Sequence, residues 1–243
     1  MLSYYNTTNK ISEEKPDTAI IPIGSIEQHG SHLPIGVDYF TAEAYSKAVA
    51  EKTGALLYPP LPFSTCYEHK GTCGSLGLRP TTLYSVIEDL VLGLYAQGIK
   101  KIIFIICHGG VFIAGPAIRE LNALHDDLAV ISVYSSLPSR ASEVLENKDP
   151  EIHAGEKESS LMLYLHPETV DTDEMMKNDY TPNVPRDYLN YSPLRKLSPT
   201  GVWGKPSLAS AEKGEKIFNI VVDAMVEYIE DAFKNAYMKK WQD

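Results

Sequence analysis

Three short stretches of this chain collect side chains that bind metals and move protons. The first is Glu27-Gln28-His29-Gly30-Ser31-His32, followed nine residues after His29 by Asp38. In an extended segment the side chains alternate, so Glu27 and His29 point the same way and can grip one ion or two adjacent ions. Asp38 falls at the start of an expected helix. There its two oxygens can bridge two ions, or it can simply cap the helix. The second stretch is Cys107-His108-Gly109-Gly110, an imidazole followed by two glycines that let a ligand approach the backbone closely. The third, His153-Ala154-Gly155-Glu156-Lys157-Glu158, also opens an expected helix. Glu156 and Glu158 are two apart and cannot share a helix face, so at most one of them reaches a metal easily. An acidic first turn that complements the helix dipole is the plainer alternative for both.

Two histidines with two or three carboxylates favour Zn²⁺, Mn²⁺ or Fe²⁺ over Mg²⁺ or Ca²⁺, because imidazole suits the first group and all-oxygen shells suit the second. A bridging aspartate suggests two divalent ions per chain that activate a shared water for attack on a carbonyl carbon. The chemistry is therefore hydrolysis. No Ser-His-Asp order, G-x-S-x-G, Walker motif or G-x-G-x-x-G competes with that reading. His69, in Tyr67-Glu68-His69-Lys70-Gly71, is expected to line the substrate pocket with Gly109 and Gly110, and His32 to sit in a loop behind the site. His125 and His166 follow helical stretches and are expected at the surface. Cys66, Cys73 and Cys107 form no C-x-x-C pair, so they are expected to be free thiols, and none is singled out as a nucleophile.

These residues need a frame, and the pattern of apolar residues supplies one. Thr18–Gly24 is a β-branched run ending in glycine, followed by a polar loop and a helix expected over Tyr39–Lys52. Ala55–Tyr58 is a weak strand. Pro59–Pro80 is irregular, and Thr81 or Thr82 can cap a helix from about Leu83 to Gln97, which Gly98 ends. Lys101–Cys107 is apolar on both faces, as expected for a central parallel strand covered by helices. A helix over Pro116–His125 and a strand over Leu128–Val133 continue the alternation that marks a doubly wound α/β sheet. Helices over Glu156–Leu165 and Ala209–Tyr237 complete the frame. Between them, Thr172–Lys205 reads as a long surface excursion of the kind that forms lids or oligomer contacts. All three chemical stretches lie at the carboxyl ends of expected strands or in following loops, where open α/β sheets place their sites.

With 243 residues, 44% apolar and 22% charged, the chain suits one globular domain spanning 1–243. A formal charge of −10 leaves no basic field for nucleic acid or anionic membrane, whereas its carboxylates can hold divalent cations. The opening residues lack the basic-then-apolar order of a signal peptide, and the odd cysteine count fits a reducing compartment, so the cytoplasm is the expected location.

At these residues the sequence resembles the creatininase family. Ile21–Asp38 carries the most specific part of the likeness. His69 with Gly71–Thr82, Cys107–Gly110, His153–Leu163 and Gly201–Gly214 follow in the same order. The resemblance implies a three-layer α/β/α sandwich with a mostly parallel sheet, two metal ions with Zn foremost, and a homohexamer. It implies Glu27, His29, Asp38 and His108 as ligands with Asp38 bridging, Glu158 completing the site, and His153 passing a proton to the leaving group. Two departures bear on substrate. Ile106 and Val111 stand where many relatives carry Asn, and Gly109-Gly110 replaces a Tyr-Glu pair whose Glu binds metal in true creatininases. Creatinine itself is therefore not the expected substrate. The leading expectation is an amidohydrolase that opens a C–N bond of a small amide or cyclic amide. The alternatives are hydrolysis of a C–C bond in a keto-inositol and a non-catalytic relative that only binds metal or metabolite.

Overall fold

The computed structural model describes residues 1–136 and 139–237, so the last six residues of the expected 1–243 domain lie outside the described residues. In chain order the elements begin with α1 (Thr8–Glu14), β1 (Thr18–Ile23), α2 (Val37–Thr53), β2 (Leu56–Leu57), α3 (Pro80–Tyr95) and β3 (Lys101–Ile106). They continue with α4 (Ala114–Leu124), β4 (Ala129–Tyr134), α5 (Ser139–Ser142), α6 (Glu156–Leu165), α7 (Thr172–Met175), α8 (Leu194–Leu197) and α9 (Ala211–Asp231). Four strands form one sheet in the order β2-β1-β3-β4, and every pairing is parallel.

Alternation along the strands builds the three layers. Ala19, Ile21 and Ile23 of β1 and Ile102, Phe104 and Ile106 of β3 face a cluster formed with Leu83, Ile87 and Val91 of α3 and Ala117 and Ile118 of α4. Their neighbours Ile20, Ile103 and Ile105 face the opposite cluster, with Tyr45 and Val49 of α2, Leu161 of α6 and Ile217, Val221 and Met225 of α9. Because β1 and β3 are covered on both sides, they are apolar at nearly every position, and each buried Ile contributes about 1.5–3 kcal/mol. The expected three-layer α/β/α sandwich is the architecture found.

Several boundaries differ from the expected ones for physical reasons. Helix α2 starts at Val37, with Gly36 before it, so Asp38 lies inside the first turn and does not cap the helix. Helix α3 starts at Pro80, whose fixed φ suits a first helical residue, and neither Thr81 nor Thr82 caps it. The regular part of α9 ends at Asp231, and residues 232–237 form a wider π-helical turn. The excursion over 172–205 holds α7, α8 and a 3-10 turn at Arg186–Asn190, and Tyr180 forms an isolated bridge with Gly204. Among the described residues no helix is long and apolar enough to cross a membrane.

Candidate metal centre

The site forms where β1 and β3 end side by side. Their register pairs Ile23 with Ile106, so the residues just beyond both strand ends emerge at the same edge of the sheet. Gly24 makes the first turn possible: a Cβ there would lie 2.7 Å from the Cα of Tyr39 and 2.8 Å from the carbonyl oxygen of Asp38. Only glycine lets the first turn of α2 press against the end of β1, and that contact holds Asp38 over the sheet edge.

Glu27, His29, Asp38 and His108 converge in this space, and all four are buried. His108 Nδ1 lies 3.2 Å from Glu27 Oε1 and 3.1 Å from Asp38 Oδ2. On the other side, His29 Nε2 lies 3.6 Å from Asp38 Oδ1 and 3.8 Å from Glu158 Oε2. Two donor atoms each about 2.1 Å from one ion stand roughly 3–3.5 Å apart, so the first set has the spacing of a ligand shell and the second is slightly wider. Asp38 turns one oxygen to each set.

The donor atoms are oriented from behind. His29 Nδ1 donates to the carbonyl of Glu27 (3.1 Å), leaving Nε2 toward Asp38 and Glu158. His108 Nε2 donates to the carbonyl of Thr65 (3.0 Å), leaving Nδ1 toward Glu27 and Asp38. Ser25 Oγ donates to Glu27 Oε2 (2.8 Å). Backing of this kind fixes the tautomer and aims the ligand. Meanwhile Glu27 Oε1, His29 Nε2 and Asp38 Oδ2 are fully buried without a well-formed hydrogen bond. Buried polar atoms are almost always satisfied, so three orphans converging on one space fit divalent cations.

The charges tell the same story. Burial alone would push Glu27 up and His108 down. Their mutual attraction outweighs it, holding Glu27 well below the usual carboxylate range and His108 well above the usual imidazole range. His29 is likewise raised to about 9: burial opposes the shift, and Asp38, Glu158 and Glu27 overcome it. Without an ion these histidines hold protons in the place where a cation belongs.

Glu158 and Glu156, equivalent in the sequence, part company here. Glu156 is fully buried away from the site, accepting from the backbone of Glu146 and Asn147 and from Lys213 Nζ. Glu158 faces the site, and burial pushes its carboxyl up. The backbone N–H of Ala154 donates to its Oε2 at 2.5 Å, an arrangement reached by placing Ala154 in the left-handed region, φ 51°. His153 is anchored by paired backbone hydrogen bonds with Trp203, and its ring lies tilted between those of His29 and His69, with centroids 4.2 Å and 4.4 Å away. Burial and the neighbouring His29 and His69 hold it well below its usual range, so it is neutral.

Two contributors, Gln28 and Glu68, are visible only in the folded chain, and His69 does more than line the pocket. Gln28 points away from Glu27 and His29, and its amide Nε2 approaches His69 Nδ1 (3.1 Å) and the carbonyl of Gly201 (3.0 Å). Its own carbonyl meets His153 Nε2 at 2.6 Å. His69 reaches deeper than a pocket wall requires, with Nε2 3.1 Å from Glu27 Oε1. Glu68 lies 3.2 Å from His108 Nε2. A Cβ at Gly110 would fall 2.0 Å from Glu68 Oε1, so the glycine leaves the volume that Glu68 fills. The adjacency of Glu68 to His69 and of Gln28 to two chemical residues was the signal available beforehand. Gly109 and Gly110 line the cavity, of about 410 Å³. His32 is buried, with Nε2 3.0 Å from Ser159 Oγ, and His166 rests on Phe40. Burial pushes the Cys107 thiol up to about 12, which removes it as a nucleophile.

The family model described as creatinine amidohydrolase matches residues 5–229. The chain belongs to the creatininase family. A creatinine amidohydrolase of Pseudomonas putida is 29% identical over 88% of this chain and 89% of its own. A mycofactocin precursor peptide peptidase of Mycobacterium ulcerans is 31% identical over 90% of this chain and 88% of its own. A 3-dehydro-scyllo-inosose hydrolase of Thermotoga maritima is 27% identical over 88% and 76%. Among solved structures, a creatinine amidohydrolase superposes with a TM-score of 0.80 at 25% identity, covering 96% of this chain and 98% of that one. A mutant creatininase of Zn-Zn type matches with the same score and identity over 95% and 98%. This creatininase-family chain is thus an enzyme, a metal-dependent hydrolase of the amidohydrolase type, with the cluster of histidines and carboxylates that such an enzyme needs.

Proposed function

We propose that this chain hydrolyses a C–N bond of a small polar amide or cyclic amide, using two divalent ions, Zn²⁺ foremost. Glu27, Asp38 and His108 would hold one ion and His29, Asp38 and Glu158 the other. The observation that carries this reading is the position of Asp38, with Oδ2 3.1 Å from His108 and Oδ1 3.6 Å from His29, between the two donor sets. Bound ions of this class polarise a carbonyl and make water acidic enough to ionise near neutral pH.

The chain's own residues do the rest. Glu27, backed by Ser25, keeps its charge and binds without needing deprotonation at neutral pH. His153, neutral and with Nε2–H on the carbonyl of Gln28, turns Nδ1 to the site, 3.9 Å from Glu27 Oε1. It takes a proton at Nδ1 from the attacking water and hands it to the departing nitrogen as the C–N bond breaks. His69 and Gln28 hold that ring in place, and Gly109 and Gly110 form the floor on which substrate rests.

The test is elemental analysis of the purified protein with a chelator-reversible screen over cyclic amides, formamides and keto-inositols. About two Zn, Mn or Fe per chain and chelator-sensitive release of an amine support the reading. Protein that takes up no metal on addition removes it. The likeness to an inosose hydrolase favours one second reading, ring-opening of a keto-inositol with no amine released. We also propose one domain over 1–243 from the chain's length, a cytoplasmic location from its odd cysteine count and, from the family resemblance, a homohexamer; light scattering of the purified protein checks the last.

A further inference from the structure

Two cavities meet at the centre, one of about 410 Å³ and a second of about 370 Å³ between the end of β4 and the start of α6. Both are bordered by His108, Gly109, His153, Glu158 and Arg186. Arg186 comes from the 3-10 turn in the long excursion and reaches over Gly109, its guanidinium Nη2 lying 3.6 Å from the position of a Cβ there. In the second cavity every other charged group is engaged. Lys157 Nζ donates to the carbonyl of Ser135 at 3.0 Å. Glu151 accepts from the backbone N–H groups of Glu156 and Lys157. Glu158 accepts from Ala154. Arg186 alone has no hydrogen bond or ion pair among the described residues. Asp187, next in the chain and likewise without a hydrogen bond or ion pair among the described residues, borders the first cavity and not the second.

A guanidinium without a protein partner, at the mouth of a site that handles small polar molecules, has the geometry to fork onto an oxyanion. Resting on the proposed amide hydrolysis, we infer that the substrate carries an anionic group, carboxylate or phosphate, at the end remote from the scissile bond. Arg186 clamps that group in the second cavity and so determines specificity. The scissile amide then lies over Gly109 at the junction of the two cavities, within reach of His153. The placement also gives the excursion a task. It brings a guanidinium to the second cavity, whose other charged side chains come from the segment around the start of α6.

The test uses the metal-loaded protein with one formamide or cyclic-amide scaffold made in three matched forms, bearing a remote carboxylate, a remote phosphonate or a neutral carboxamide. Wild type should favour one charged form over the neutral one by at least about tenfold in kcat/KM, the scale of a charge-assisted hydrogen bond, and the preferred form identifies the anion. Arg186→Met should erase that preference through KM while leaving kcat, bound metal and turnover of the neutral form within about twofold. Arg186→Lys should recover part of it. Equal handling of charged and neutral forms by wild type, or a full preference retained in Arg186→Met, overturns the inference. If the loaded protein cleaves none of the three, the proposed reaction fails by itself. Calorimetric binding of the same three compounds then decides Arg186 independently, and absence of any charge preference in binding overturns it.

Discussion

The two halves of the centre are built differently. Glu27, Asp38 and His108 descend from the ends of β1 and β3 and from the first turn of α2, and their donor atoms meet at 3.1–3.2 Å. His29 meets Glu158 at 3.8 Å and Asp38 at 3.6 Å, and His153 touches it only ring to ring; His153 and Glu158 depend on segments tied by a left-handed Ala154 and an isolated bridge to Trp203. Strand ends held in register on a buried sheet give positional accuracy at no local strain. Residues borrowed from connecting segments need special backbone conformations to reach the same place.

Asp38 belongs to both halves, so Asp38→Ala should produce the largest loss. Both ions go and turnover falls to background, read by metal analysis and the chelator-reversible assay. Retention of metal by that variant would break the two-sided arrangement. Glu158→Gln should separate the halves: one of about two ions remains, and activity falls by a larger factor than metal content. Loss of both ions would mean the halves are one unit. Gly110→Ala disturbs only the strand-end half, because its Cβ would lie 2.0 Å from Glu68 Oε1 and 2.4 Å from His108 Nε2. A loss of metal affinity on the order of 10–100-fold at His108's ion is expected, measured by competition with a chromogenic chelator.

The smallest effect is a pH dependence of the chelator-stripped protein. His29 is raised from 6.5 to about 9, so in the folded chain it binds a proton that the unfolded chain has already released. That stabilisation is fully present below pH 6.5 and is lost as pH rises through about 9. A urea midpoint that falls across this window in stripped protein, and stays flat once metal is restored, is the expected result. A midpoint that rises instead would mean that the histidines are not holding protons for the cation.

How much of this was legible beforehand follows the same division. β1, β3 and the two-sided burial of their apolar residues follow from runs such as Ile102–Ile106, because a covered parallel strand has nearly continuous apolar residues. Glu27, His29, Asp38 and His108 were readable because glycines frame them and strand ends position them. The choice of Glu158 over Glu156 came from the family resemblance and not from the residue pattern, since it turns on Ala154 φ and on Lys213 reaching Glu156 from α9. Gln28 and Glu68 were missed for a related reason. Each acts on residues distant in sequence, Gln28 on His69 and Gly201 and Glu68 on His108, and adjacency to a chemical residue does not say which distant partner it will touch.

The pairing of Ile23 with Ile106 also sets an order of events during synthesis. β1 and β3 are far apart along the chain, so the slow, loop-closing step that joins them must precede any meeting of Glu27 with His108. A growing polypeptide cannot hold an ion in the strand-end half until β3 has emerged, nor in the other half until Glu158 has. Metal held by the proposed ligands would therefore be captured late, a seal on a sheet already registered rather than a nucleus around which it forms.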